Sequence, residues 1–340
     1  MKLGLQLGYW GSKPIDRFIE LAQRAEALGF DLVTTAEAYG SDVFVPLAAI
    51  AAHTKRIRLG TAIMQISART PAAAAMAAMT LDHISNGRVV MGIGVSGPQV
   101  VEGWYGQPFK KPLERTREWL AIFRAILARE APLTFAGNQY QLPYAGPGST
   151  GQGKALTTIT HPLRKHIPVL LGAEGPKNVE LAATQFDGWL PILMPPERFD
   201  LFADQMQLMK PGFEIVGTVS VSQSDNLAKA LIPVKKHLAL YVGGMGSKEE
   251  NFHKRIVERS GFAEAAQRVQ DLWLAGRQME AVGAVPDELA DALALVGPRE
   301  HIRENLQRWR KSPITTLCMG VGGNFEETVS NMELLAAEML

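Results

Sequence analysis

The side chains best suited to chemistry in this chain stand directly after short apolar runs. Trp10 follows Leu3–Tyr9. Glu37, Tyr39 and Asp42 follow Asp31–Thr35, and Gln65, Ser67 and Arg69 follow Ile57–Ile63. Ser96, Gln99 and Glu102 follow Arg88–Ile93, and Glu174, Lys177 and Asn178 follow Ile167–Gly172. Carboxyl and phenol groups there could move protons, amides and hydroxyls could orient a ligand, and cationic groups could meet an anion. The same residue types also cap helices or simply meet solvent, so position alone selects candidates without assigning roles.

Two glycine-rich segments narrow the chemistry. Gly92-Ile93-Gly94-Val95-Ser96-Gly97 matches GxGxxG behind an apolar run. Pro98, Gly103, Gly106, Pro108 and Pro112 follow it, so no helix is expected to open directly from Gly97, and a dinucleotide-binding fold is not supported. A loop that lets a ring or a phosphate approach the backbone fits instead. In Gly172-Ala173-Glu174-Gly175-Pro176-Lys177-Asn178, glycines make a turn and Pro176 starts a helix. The free N–H groups of a helix start and the Lys177 charge suit an anion such as phosphate; an ordinary turn with a solvated lysine fits as well. Glu37 and Glu174 end different apolar runs, which leaves paired-carboxylate hydrolysis open, although nothing places a sugar between them. The seven histidines are scattered, and His161 and His166 do not share one helix face. His83 is expected to cap carbonyls at its helix end. No CxxC or HExxH occurs, and no metal is expected.

The elements that must position these residues follow a repeating β-then-α rhythm. Leu3–Tyr9 alternates as a strand, with a helix over Pro14–Leu28 stopped by Gly29. Asp31–Thr35 precedes a helix over Phe44–His53. Ile57–Ile63 and Arg88–Ile93 are buried strands joined by a helix with Thr70 as N-cap, Pro71 at its first position and Asn86-Gly87 at its end. A fourth helix lies near Pro112–Glu130. Further strands are expected over Ile167–Gly172, Gly188–Ile192, Glu214–Ser222 and Ile314–Val321, with helices from Pro176 and Pro195. Eight such units argue for an α/β fold of the (β/α)8 TIM-barrel class, in which active sites lie at the C-terminal strand ends. Two stretches overrun the rhythm. Ala131–His166 is rich in Gly and Pro and contains an expected hairpin, Leu133–Leu142; loops of this length are often lids. Asn226–Gly297 reads as extra helices broken at Gly243-Gly244, Gly261 and Pro286. The insertions thus follow strands four and seven of a single 1–340 domain.

Composition bounds the partners. The chain has 340 residues, 46% hydrophobic and 20% charged, with formal net charge +1. Such a balance gives no electrostatic reason to expect nucleic acid or an anionic membrane. Cys318, a lone cysteine, reads as a small buried hydrophobe. The N-terminus has no long apolar run, and Ala72–Ala78 is too short to span a bilayer, so a cytoplasmic protein is expected. The same alanines would permit close helix packing, either between two subunits as a homodimer or inside one.

The segments GFDLVTTAEAYGSD, RIRLGTAIMQISARTP, LDHISNGRVVMGIGVSGPQVVEGWYG, LLGAEGPKNVELA and DGWLPI together resemble the luciferase-like monooxygenase family, specifically its oxidoreductases that use coenzyme F420, a deazaflavin. The resemblance implies hydride transfer between F420 and a small organic substrate, with an FMN-dependent monooxygenase as the alternative and a non-catalytic deazaflavin carrier as a third reading. It implies a non-proline cis peptide at Ala62–Ile63 backing the ring. It places Val95, Ser96, Gly97, Pro98 and Gln99 along the ring and ribityl chain. Ala173, Glu174, Gly175, Pro176, Lys177 and Asn178 would take the tail phosphate, and Trp10, Glu37 and Tyr39 would face the reacting carbon. Glu37 is expected as the acid or its orienter, kept protonated by an apolar pocket, with Tyr39 as alternate donor. The Asp-His pair of the sugar-phosphate-oxidising members is Glu37-Ala38 here, so a sugar phosphate is not expected as substrate.

Overall fold

In the computed structural model, residues 1–9 and 16–340 are described, and Trp10 lies outside them. The chain runs β1 (Lys2–Tyr9), α1 (Asp16–Ala27), β2 (Leu32–Ala36), α2 (Phe44–His53), β3 (Arg58–Thr61), β4 (Met64–Gln65), α3 (Pro71–Ser85) and β5 (Val89–Gly94). It continues through α4 (Pro98–Gly103), α5 (Pro112–Ala128), β6 (Phe135–Ala136), β7 (Gln141–Leu142), β8 (Val169–Gly172), α6 (Pro176–Gln185) and β9 (Gly188–Leu190). After a 3-10 turn over Arg198–Phe202 come α7 (Ala203–Met206), β10 (Glu214–Gln223), α8 (Leu227–Gly244), α9 (Phe252–Val257), α10 (Ala263–Leu274), α11 (Gln278–Gly283) and α12 (Asp287–Ala292). The last elements are β11 (Ala294–Gly297), α13 (Arg299–Lys311), β12 (Thr316–Gly320) and α14 (Phe325–Met339).

Eight of these strands pair in parallel around a closed ring, β1-β2-β3-β5-β8-β9-β10-β12 and back to β1. This is the expected (β/α)8 barrel. Strand alternation sends Leu3, Leu5 and Leu7 outward under the helices, where they join the main core. Leu32, Val90, Leu170, Val216 and Cys318 fill the lumen, with Leu190 packed against them. Small residues oppose them: a Cβ on Gly4 would lie 2.4 Å from the Cys318 sulfur. At the N-terminal end of the ring, Arg58 bridges Asp31 and Glu214, at 3.0 Å from Nε and 2.8 Å from Nη1. That network closes the barrel floor and leaves the opposite end for a ligand.

The helix that joins β3/β4 to β5 is held as its sequence implies. Thr70 accepts the Ala73 N–H, Pro71 opens the helix, and Asn86 and Gly87 both take left-handed backbone at its end. Ala74, Ala75 and Ala78 are buried within this subunit. His83 does not cap its own helix; its Nε2 meets the His161 carbonyl at 2.8 Å and ties the first inserted loop to the barrel. In that loop β6 and β7 form an antiparallel hairpin. The Glu118 carboxylate accepts three successive N–H groups at its turn, from Asn138, Gln139 and Tyr140, each at 2.9 Å.

Four expectations change. Strand six ends at Leu190 because Pro191 has no N–H to extend the ladder, and the helix expected from Pro195 is a 3-10 turn from Arg198 followed by the single turn of α7. A short helix, α4, does open directly after Gly97, with Pro98 in its first turn where no donor is needed. The stretch from Asn226 to Gly297 is not all helical. Its last residues form β11, which pairs in parallel with the C-terminal part of β10, Ser220 opposite Ala294 through Gln223 opposite Gly297. A four-residue apolar run is too short for periodicity to separate strand from helix. No helix among the described residues is long and apolar enough to cross a membrane.

Candidate active site

At the end of β2 the backbone turns so that Glu37 points inward. Its N–H donates to the Ile63 carbonyl at 3.2 Å, and Thr35 Oγ1 donates to the Val43 carbonyl at 2.8 Å, fixing the loop to the start of α2. The Glu37 side chain is buried, and both its oxygens are engaged: Oε2 accepts the Gln65 N–H at 2.9 Å and Oε1 pairs with Arg69. The other end of the Arg69 guanidinium pairs with Asp42, and its centre lies 5.1 Å from the Phe44 ring centroid. Asp42 meanwhile accepts the Phe44 and Val45 N–H groups at 2.8 and 2.7 Å, so it caps α2 and anchors Arg69 together. Burial pushes the Glu37 pKa up, opposed by Arg69 and the Gln65 N–H. Tyr39 is exposed on the rim, edge-on to Trp104 with ring centroids 6.5 Å apart.

Beside this cluster the Ala62–Ile63 peptide is cis, as the resemblance implies. The Ala62 N–H donates to Thr35 and its carbonyl accepts from Gln6 Nε2 at 3.4 Å. After it β4 resumes pairing with β5. The Ile63 side chain leans toward the ends of β5 and β8. A Cβ on Gly94 would lie 2.5 Å from Ile63 Cδ1, and one on Gly172 would lie 3.3 Å from Ile63 Cγ2. Gly92 is held against β3, where Thr61 Oγ1 donates to its carbonyl at 2.7 Å and accepts its N–H at 2.9 Å. The first two glycines of the GxGxxG match therefore make room for Thr61 and Ile63, rather than for a phosphate. Val95, Ser96, Gly97 and Pro98 are half-buried beyond them, Ser96 in left-handed backbone, and Gln99 is exposed. Gln65 donates to the Glu37 carbonyl at 3.1 Å while its buried Oε1 has no partner among the described residues.

At the end of β8, Ala173 accepts the Trp189 indole N–H at 2.8 Å. Gly175 caps α6 without a side-chain partner, open space surrounds the place where its Cβ would stand, and Lys177 is exposed. Asn178 Oδ1 is buried and has no partner among the described residues. Glu174 does not join the helix start as an anion-binding group. Its carboxylate meets His253 Nδ1 at 3.0 Å, across from the second insertion.

That contact belongs to a cluster that no motif pointed to. His253 lies on α9, with its ring 4.8 Å from that of Tyr241 on α8, and His237 one turn earlier is 4.3 Å from Tyr241. Burial, with Tyr9 at the end of β1 and Glu174 nearby, pushes the Tyr241 pKa well up. Burial, with His253 nearby, pushes the His237 pKa down. Asn251 fixes the two helices: it caps α9 through the Lys254 N–H at 2.9 Å and donates to the Tyr241 and Val242 carbonyls at 3.2 and 2.8 Å. The i, i+4 spacing of His237 and Tyr241 was the one signal in the sequence that could have placed them on a common face.

The barrel thus gathers Glu37, Tyr39, Ala62, Ile63, Val95–Gln99 and Ala173–Asn178 at the C-terminal ends of neighbouring strands. Against known proteins, residues 4–316 match the model of the luciferase-like monooxygenase family. The chain is 50% identical over 331 residues, 95% of each chain, to a Mycobacterium tuberculosis protein provisionally named a coenzyme F420-dependent oxidoreductase. It is 27% identical, over 94% of each chain, to a 5,10-methylenetetrahydromethanopterin reductase of Methanolobus tindarius. Its fold superposes on the coenzyme F420-dependent tetrahydromethanopterin reductase of Methanopyrus kandleri with a TM-score of 0.80, at 21% identity and covering 99% and 97% of the two chains.

Proposed function

The chain belongs to the luciferase-like monooxygenase family, and from that premise we propose that it is an oxidoreductase moving a hydride between coenzyme F420 and a small organic substrate. The observation that carries this reading is the relative that is 50% identical along nearly the whole chain and named for F420. The geometry of the strand ends supports it. A flat ring needs one apolar wall, and Ile63, seated over Gly94 and Gly172, offers one. A ring with amide groups and a phosphate-bearing tail needs polar partners. Gln65 Oε1 and Asn178 Oδ1 are buried acceptors with no partner among the described residues; they suit N–H and O–H donors of the cofactor rather than its phosphate, and buried polar atoms in native proteins are normally satisfied. Gly175, with no side chain, leaves the start of α6 open for the tail beside Lys177.

In this reading Ala62, Ile63 and Val95–Gln99 hold the ring, and Ala173 and Gly175–Asn178 hold the tail. The bound deazaflavin supplies the hydride chemistry. The protein orients the substrate against it and manages the accompanying proton. Arg69 and the Gln65 N–H hold the two Glu37 oxygens in place, and Glu37 acts by position. It therefore shapes the rim rather than donating the proton. The enzyme works in the cytosol on a small molecule, and a homodimer through barrel helices is its proposed assembly; the near-zero net charge supports the absence of a nucleic-acid partner.

The reading is tested by mixing the protein and oxidised F420 with a panel of alcohols, and reduced F420 with carbonyl and alkene compounds, while following the cofactor's absorbance. Turnover with at least one class is expected. Oxygen uptake with reduced FMN and no reaction with F420 would move the protein to the monooxygenase chemistry.

A further inference from the structure

We infer that the Glu174–His253 pair is the proton-transferring group of this site and that its substrate is an alcohol or the corresponding carbonyl compound. The inference rests on the hydride-transfer reading above and adds the residue that reading lacks.

A histidine becomes a directed base when a carboxylate holds one ring nitrogen and the other is free. Glu174 Oε2 lies 3.0 Å from His253 Nδ1, which favours the tautomer with the proton on Nδ1 and leaves the lone pair on Nε2. Nε2 has no partner among the described residues. Both side chains are sheltered but reachable, 17% and 18% exposed. The pair is also rigidly placed. Tyr241 lies against the imidazole, and Asn251 bonds the end of α8 while capping α9. Glu174 itself stands at the end of β8, one residue from the open start of α6. The second insertion thus brings a base to a strand end whose neighbours form the proposed cofactor site.

In the oxidising direction His253 Nε2 takes the substrate's hydroxyl proton. The carbinol carbon loses its hydrogen with both bonding electrons to the oxidised cofactor, and the carbon–oxygen single bond becomes a double bond. The Glu174 carboxylate balances the imidazolium charge. In the reducing direction each transfer reverses, and Nε2 returns the proton to the carbonyl oxygen. Glu174 touches neither reactant and acts as a positioning residue.

The first test is nitrogen NMR of the F420-bound protein with tert-butanol, an alcohol that has no carbinol hydrogen to lose. The His253 signals are identified by their loss in His253→Gln. Tert-butanol is expected to shift Nε2 and leave Nδ1 in place. Glu174→Gln is expected to abolish the single tautomer, and Glu174→Asp to restore part of it. With cyclohexanol as the oxidised probe, His253→Gln is expected to lower kcat by about a hundredfold or more, with F420 binding unchanged by fluorescence titration. Wild-type protein that fails to bind F420 overturns the functional reading itself. Binding with an unmoved Nε2, or cyclohexanol turnover unaffected in His253→Gln, overturns the inference and leaves that reading standing. If cyclohexanol is not oxidised, the nitrogen shift decides alone.

Discussion

Burial raises the proton affinity of Glu37 while Arg69 and the Gln65 N–H lower it, and burial is the larger effect. In the unfolded chain the carboxyl ionises near its ordinary value of 4.5; in the folded protein it ionises above that. Below 4.5 both states are protonated and the group is neutral for stability. As pH rises through the folded value, folding must carry a buried charge, so stability falls. Wild-type protein is therefore expected to lose stability relative to Glu37→Gln between acidic and neutral pH, as urea unfolding at the two pH values would measure. Arg69→Leu acts differently, because it leaves the Glu37 charge buried without its partner. A cost of about 3–5 kcal/mol is expected at neutral pH, more than for Glu37→Gln in the same unfolding assay. Glu37 and Arg69 were both legible as strand-end residues. Their pairing was not, because 32 positions separate them and only barrel closure brings the two loops together.

Among the elements, the strand ends around Ile63 are tightly packed. A Cβ on Gly92 would meet the Thr61 carbonyl oxygen at 2.1 Å, a backbone atom that cannot move aside. Gly92→Ala is expected to destabilise the fold by about 1–3 kcal/mol. Gly175 has open space and an ordinary φ of −95°, so Gly175→Ala is expected to change stability by less than about 0.5 kcal/mol while weakening F420 binding. Thermal unfolding and a binding titration separate the two effects. Element order was readable wherever a run was long or well punctuated: Thr70-Pro71 and Asn86-Gly87 bound α3 through caps that the backbone uses directly. Short or proline-interrupted runs were not, as β11 and the turn after Pro195 demonstrate. The glycines of the GxGxxG match were visible, yet their partners, Thr61 and Ile63, lie on another strand. The α8–α9 cluster escaped altogether, because its meaning depends on Asn251 folding one helix end onto the next and carrying His253 to Glu174.

For the molecule as a whole, the barrel floor is bridged by Arg58 and the lumen is filled. Cys318 fills the lumen, and burial pushes its thiol up to about 12. A thiol reagent at mildly alkaline pH is expected to leave the native protein unlabelled and to react fully once it is unfolded; labelling of native protein would mean that the lumen opens. At the other end, the family, the wall at Ile63 and the acceptors of Gln65 and Asn178, unpaired among the described residues, converge on one cofactor. The measurement that tests this most directly is a fluorescence titration of the purified protein with oxidised F420 and, separately, with FMN. Saturable binding of F420 in preference to FMN is the predicted result. Preference for FMN, or binding of neither, would contradict the assignment of Ala62–Ile63, Val95–Gln99, Ala173 and Gly175–Asn178 as a deazaflavin site.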